Sequence, residues 1–296
     1  MPDAAPCACV DIGSNTTRLL VAECRGEGAI RELMTQRVYT RIGKSLGRDK
    51  ELPDAKVDEV AAVVKQQVRH ARELGADHVR VVATAAIRQA KNRGALVEAI
   101  ERTAGVETHV LSDADEARLA FAGATRMLGS TPAGPIGVVD VGGGSTEIAI
   151  GTVTEGVTWS RSFRIGSGFL ADSYLRSDPP SAQELEAARS HAEGTFEGLR
   201  APAVERAVAC GGSAASLRRM AGAELTHDAL ERAVRLLASA PRAEIAERFE
   251  LDPERVHLLP AGVLILDAVS QALGAPLKIG GGGLREGVVL ELAAAR

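Results

Sequence analysis

Residues 8–23 read ACVDIGSNTTRLLVAE, and residues 137–150 read GVVDVGGGSTEIAI. Each is an apolar strand ending in Asp-x-Gly, then a tight turn of small residues, then a second apolar strand. Short apolar runs bounded by Gly, Ser and Asn read as the two arms of a β-hairpin. Asp11 and Asp140 occupy the same place in the two hairpins and stand 129 residues apart. A repeat at that distance predicts two related domains, each opening with the same hairpin.

Outward from the hairpins, strand and helix patterns alternate. Residues 55–74 carry a helix period that stops near Gly75, and residues 79–84 (VRVVAT) form a short apolar strand. A helix is expected from about Ala86, and a strand over 106–111. Ser112 opens the next helix, with the acidic Asp115 three positions on, as in a capping box. Residues 129–135 are a Gly/Ser/Thr/Pro linker and the best domain boundary. The second half repeats the logic with a strand over 204–210, Gly211-Gly212-Ser213 and a helix. Further helices are expected over 226–247 and from Pro260 to Leu273. A strand over 277–279 precedes four glycines and a last helix from Leu284. Alternating strands and helices give an α/β class, and the hairpins add antiparallel pairs, hence mixed sheets. The expected domains are 1–128 and 129–283, with a C-terminal helix over 284–296 packing on the first.

The 296 residues suit one large or two ordinary domains, and 25% charged residues with 45% hydrophobic ones are a globular mix. Aromatics make up 3%, so the core is aliphatic, and the net charge of −4 argues against nucleic acid. The four cysteines (7, 9, 24 and 210) show no zinc-ligand spacing and read as reduced thiols of a cytoplasmic protein. No basic-then-apolar leader opens the chain, and the apolar run from Leu258 to Leu266 is too short to span a bilayer. No membrane partner is expected. The six histidines show no pairing and no motif.

Several loops could carry chemistry. In Asp11-Ile12-Gly13-Ser14-Asn15-Thr16-Thr17 the backbone can turn tightly and aim N–H groups at an anion. Asp11 could hold Mg²⁺ or a metal-bound water, and Arg18 lies just past the turn. Read alone, this stretch is equally an ordinary hairpin turn. Asp140-Val141-Gly142-Gly143-Gly144-Ser145-Thr146-Glu147 is stronger. Three glycines in a strand pattern suit a ligand that approaches the backbone. Two carboxylates beside a phosphate repel it unless a cation sits between, so Asp140 and Glu147 imply Mg²⁺ (or Mn²⁺). Thr84 to Arg88, Gly211-Gly212-Ser213 and the turn before Leu284 are strand-to-helix junctions, where free N–H groups favour anions. Each could be a plain connection, but several together suit a ligand with many phosphate oxygens. The acid-base group must be a carboxylate that metal does not consume. Glu116, in the first turn of the helix capped by Ser112, is the best candidate, though an acid there is also favoured by the helix dipole.

Together these stretches resemble the exopolyphosphatase / guanosine pentaphosphate phosphohydrolase (Ppx/GppA) family. The family lies within the actin/sugar-kinase/Hsp70 superfamily of ribonuclease H-like domains. The resemblance rests on Asp11 to Thr16, Thr84 to Arg88, Ser112 to Leu119, Asp140 to Glu147, Gly211 to Ser213 and Gly283 to Gly287, in family order. It implies two such domains around a cleft. It also implies Glu116 as the base that activates water, and Asp140 and Glu147 on Mg²⁺. Gly13, Ser14, Asn15, Gly142, Gly143, Gly144 and Ser145 would cradle phosphates, and Arg88 and Arg18 would clamp the polyanion. The implied partners are inorganic polyphosphate or guanosine pentaphosphate, with a homodimer suggested by relatives. Thr16 and Ser213 replace the family's usual Ser and Thr, conservatively. Long members carry a C-terminal helical region that is absent from these residues, which bears on processivity.

The favoured activity is Mg-dependent release of terminal orthophosphate from polyphosphate. Hydrolysis of guanosine pentaphosphate is the alternative. Trp159 and the few Phe and Tyr residues offer no clear stacking site for a base, which leans towards polyphosphate. An ATP-dependent phosphotransferase is less favoured, since little inserted material exists for an acceptor site. A non-catalytic sensor fits poorly with Glu116, Asp140 and Glu147.

Overall fold

The computed structural model describes residues 5–25, 29–47, 49–128 and 132–295. Residues 129–131 of the linker anticipated over 129–135, and the first four residues of the N-terminal reading, lie outside the described residues. The chain divides into two compact units, residues 1–127 with 282–296, and residues 128–281.

The first unit begins with β1 (Cys7–Ile12), β2 (Thr17–Arg25) and β3 (Ala29–Val38). Next come α1 (Ile42–Ser45), α2 (Asp54–Glu73), β4 (His78–Ala83), α3 (Ala85–Gln89), α4 (Arg93–Ala104), β5 (Thr108–Val110) and α5 (Asp113–Arg126). The sheet order is β3-β2-β1-β4-β5. The β1–β2 and β2–β3 pairs are antiparallel, and β1–β4 and β4–β5 are parallel. Strand β3 was not anticipated. It is a half-exposed edge strand rich in charged and polar residues, so it carries no apolar alternation. The helix expected from Ala86 is broken into α3 and α4. Asn92, at the break, exchanges two hydrogen bonds with the backbone of Leu52 (2.8 and 2.9 Å).

Side chains alternate across β1. Ala8, Val10 and Ile12 join Val60 and Val64 of α2 and Leu96 and Ile100 of α4 on one face. Cys7 and Cys9 pack on the other with Leu119 of α5. All four cysteines are free thiols, and burial pushes that of Cys9 well above its usual range.

The second unit holds β6 (Ile136–Val141), β7 (Thr146–Thr152), β8 (Gly156–Phe163), α6 (Ser167–Tyr174), α7 (Ala182–Phe196) and β9 (Arg206–Cys210). It continues with α8 (Gly211–Ala221), β10 (Glu224–Leu225), α9 (His227–Leu237), α10 (Arg242–Phe249), α11 (Pro253–Leu273) and β11 (Leu277–Ile279). Its sheet order is β10-β11-β9-β6-β7-β8. The helix expected over 226–247 is two helices, because Pro241 disfavours helical backbone at the residue before it. The helix expected from Pro260 starts seven residues earlier. Pro253 takes a helix-start position, where its missing N–H costs nothing, and Asp252 caps the turn by accepting from Glu254 N–H (2.8 Å). Pro260 lies inside, and burial of the helix over nearly its whole length offsets the hydrogen bond it cannot make. The 21 residues of α11 are apolar enough to cross a membrane, beyond what the run 258–266 suggested, yet 78% of its most apolar window is buried within this unit.

The chain ends in α12 (Leu284–Ala294), which packs on α5 and β1 of the first unit. A Cβ on Gly123 would lie 2.7 Å from the backbone N of Gly287, so α5 and α12 meet backbone to backbone. Burying Leu284, Val288 and Val289 there contributes roughly 1.5–3 kcal/mol each.

Candidate active site

In the first unit, β1 and β2 are joined by a turn closed by Gly13 N–H on the Thr16 carbonyl (3.0 Å). The carbonyls of Ser14 and Asn15 accept from the N–H groups of Gly43 (2.7 Å) and Arg41 (2.9 Å). In a trans peptide the N–H points opposite to the carbonyl it shares a plane with. The N–H groups of Asn15 and Thr16 therefore point away from this anchor, a local arrangement suited to an anion. Asp11 sits opposite Arg18 in the β1–β2 register, which puts their side chains on one face.

Glu116 stands in the first turn of α5, whose cap is Ser112 Oγ accepting from Asp115 N–H (3.1 Å). Only 7% of Glu116 is exposed. Arg88, at the end of α3, donates from Nη1 to Glu116 Oε2 (2.9 Å) and to the Leu111 carbonyl (2.8 Å). Its other nitrogen is paired with Asp113. The arginine expected as a polyanion clamp is thus engaged with two carboxylates. That pairing orients Glu116 and offsets the cost of burying it. Thr84 N–H donates to the Ile12 carbonyl (3.1 Å), tying this junction to β1, and α3 behind it is barely more than one turn.

In the second unit the same turn recurs, with Gly142 N–H on the Ser145 carbonyl (2.9 Å). The carbonyls of Gly142 and Gly143 accept from Ser167 N–H (2.9 Å) and Phe169 N–H (3.0 Å). By the same argument the N–H groups of Gly143 and Gly144 face away from α6. A Cβ on Gly166 would lie 2.5 Å from the Gly143 carbonyl carbon, so glycine is required at 166. Ser145 is buried in the same turn. Asp140 is opposite Glu147 in the β6–β7 register, again on one face. Glu147 is 3% exposed and accepts from Ser162 Oγ (2.9 Å).

Gly211 opens α8 at φ 84°, and a Cβ there would overlap Asp140 Oδ1. A Cβ on Gly212 would lie 2.6 Å from Nη2 of the buried Arg255. The Ser213 hydroxyl is packed against Gly262 of α11, directed into the protein. Within each unit, then, the expected residues meet. Asp11, Arg18 and the Gly13–Thr16 turn share one hairpin. Asp140, Glu147, Gly142 to Ser145 and Gly211 converge at one sheet end.

Sequence reasoning missed the supports. The signal for Gly166-Ser167-Gly168 is its run of small residues, with Gly166 as the N-cap of α6. Arg255 had no local signal, being one arginine among many. The sequence shows no pairing for His227, but its Nδ1 is 2.8 Å from Asp267 Oδ1. His227, Glu231 and Asp267 could together hold a metal ion, yet Arg189 already bridges Glu231 and Asp267 there. The oxygen-only pair Asp140 and Glu147 suits a hard cation such as Mg²⁺.

The sequence model of the Ppx/GppA phosphatase family matches residues 20–295. Exopolyphosphatase 2 of Mycobacterium tuberculosis is 30% identical over 291 residues, covering 90% of this chain and 90% of that protein. The guanosine-5'-triphosphate,3'-diphosphate pyrophosphatase of Aeromonas hydrophila is 26% identical and covers 96% of this chain, which spans 59% of that longer protein. A solved Ppx/GppA family member from Aquifex aeolicus superposes with a TM-score of 0.81 at 26% identity, covering 98% of both chains. An exopolyphosphatase structure from Cytophaga hutchinsonii gives a TM-score of 0.84 at 20% identity over 98% of both, a likeness of fold. These neighbours, with two mixed sheets, bear out the actin-like α/β fold.

Proposed function

The chain belongs to the Ppx/GppA phosphatase family, and from that premise we propose that it is an exopolyphosphatase, releasing terminal orthophosphate from inorganic polyphosphate. The observation that carries this reading is the buried Glu116 carboxylate, held 2.9 Å from Arg88. A carboxylate so fixed can take a proton from water. The water oxygen bonds to the terminal phosphorus as the bridging P–O bond breaks. The chain leaves shorter by one phosphate, and Glu116 returns its proton to solvent or to the product.

Within each unit the outward N–H groups, of Asn15 and Thr16 in the first and of Gly143 and Gly144 in the second, suit phosphate oxygens, and fixed donors of this kind stabilise charge developing in a transition state. Asp140 and Glu147 would hold Mg²⁺ in the second unit, and Asp11 is the corresponding candidate ligand of the first. The cation would supply charge neutralisation at the phosphoryl oxygens. Arg88 acts on Glu116, as its positioning residue. The test is phosphate release with Mg²⁺ from long-chain polyphosphate, tripolyphosphate, guanosine pentaphosphate and ATP. Release from polyphosphate supports the reading, and release from none of the four refutes it.

One observation favours guanosine pentaphosphate as a second substrate. Phe169 is 44% exposed, and its backbone is the group bonded to Gly143. A flat apolar face beside a phosphate loop suits a stacked base. The sequence had offered no such site.

A further inference from the structure

Helices α2 and α4 pack side by side, and an open groove of about 680 Å³ runs between their C-terminal parts. Lys65, Arg69 and Arg72 line it, all exposed. Their spacing places them on one stripe down α2, about 10 Å long. The stripe lies away from Val60 and Val64, which face the sheet. Glu73 is the one acid among the lining residues. It pairs with Arg69 at 3.4 Å, both side chains being at least 60% exposed, so water screens that pair. Among the described residues Lys65 has no ion-pair partner, and Arg72 makes one long bond to the Gly105 carbonyl (3.5 Å). This stripe runs against the net charge of −4 on the whole chain.

Such a groove fits an extended polyanion, since cations on long flexible stems neutralise a row of phosphates without fixed geometry. The lining also says which polyanion. Sites for single-stranded nucleic acid combine cations with aromatic platforms for the bases. Among the described residues no aromatic lines this groove; its other walls include Ala62, Val68, Thr103 and Ala104. That favours a phosphate chain without bases.

We propose that the α2–α4 groove is an accessory binding site for the body of a polyphosphate chain, distinct from the residues that act on its end. The inference rests on the exopolyphosphatase reading for its choice of ligand. The width of α2, about 10 Å, separates the stripe from the sheet and its Gly13–Thr16 turn, so a short chain on that turn does not reach it. The groove therefore acts on long chains only.

The test is the triple variant Lys65→Ala, Arg69→Ala, Arg72→Ala, whose surface positions leave the core intact. The expected result is a KM for long-chain polyphosphate raised about tenfold, with tripolyphosphate kinetics unchanged. The log–log salt slope of long-chain binding should fall by about 2, near 0.7 for each cation lost. An equal effect on both chain lengths, or on neither, overturns the proposal. Direct binding of long-chain polyphosphate to Glu116→Gln, with and without the triple change, reads the groove apart from turnover. Wild type that hydrolyses no polyphosphate sinks the exopolyphosphatase reading, while binding lost in the triple variant still upholds the groove. If the triple change weakens a single-stranded oligonucleotide as strongly as polyphosphate, the groove is a nucleic-acid surface and the proposal fails.

Discussion

Nη1 of Arg88 lies 2.9 Å from Oε2 of Glu116, and the same guanidinium reaches Asp113 and the Leu111 carbonyl. Arg88 lies in the short helix after β4, and Glu116 in the first turn of the helix after β5, so two neighbouring strand ends bring them together. Arg88→Ala is expected to lower kcat at least tenfold with little change in KM. Arg88→Lys, which keeps one charge but not the fork, should recover part of the loss. A change confined to KM would instead mean that Arg88 binds substrate.

Gly166→Ala would push a methyl group into the Gly143 carbonyl and shift the Gly142–Ser145 turn. Phosphate release should fall more than tenfold while the far-ultraviolet dichroism spectrum stays that of wild type. Gly211→Ala meets both a positive φ and Asp140, and should cost roughly 1–3 kcal/mol on the backbone conformation alone. Urea unfolding checks the second value.

Phe169→Ala should raise KM for guanosine pentaphosphate several-fold and leave polyphosphate kinetics alone, if the ring takes the base. Equal kinetics on both substrates would remove the case for a nucleotide.

His227 and Glu184 give opposite pH signatures. The hydrogen bond to Asp267 is the main cause of a raised His227 pKa, from an ordinary 6.5. Its stabilisation is fully present below pH 6.5 and is lost as pH rises through the raised value. The Ser181 N–H, then the Arg176 N–H, Ser181 hydroxyl and Ser177 N–H, hold Glu184 at about 2 instead of 4.5. Its stabilisation is present above pH 4.5 and is lost as pH falls through about 2. Thermal midpoints of His227→Gln and Glu184→Gln against wild type should diverge most in mild acid for the first and near neutrality for the second.

Both hairpins and both turns were legible because their chemistry is local. An apolar strand, Asp-x-Gly and small residues carry their own signal, and the 129-residue echo linked Gly13 with Gly142. The capped start of α5 was readable for the same reason, since Ser112 and Asp115 are three apart. What failed was set by distant partners. Strand β3 is held by β2 and has a polar face, so no period marks it. Pro260 reads as a helix start, yet it is an interior position that tertiary packing tolerates. Arg88 reads as a phosphate ligand until Asp113 and Glu116 arrive from another strand end.

The most direct test of the central claim is hydrolysis of long-chain polyphosphate with Mg²⁺ in heavy-oxygen water, comparing wild type with Glu116→Gln. The account predicts one labelled oxygen in each released orthophosphate and a fall in kcat of about 10²–10⁴ in the variant. Full activity in Glu116→Gln, or phosphate released without the label, would contradict it.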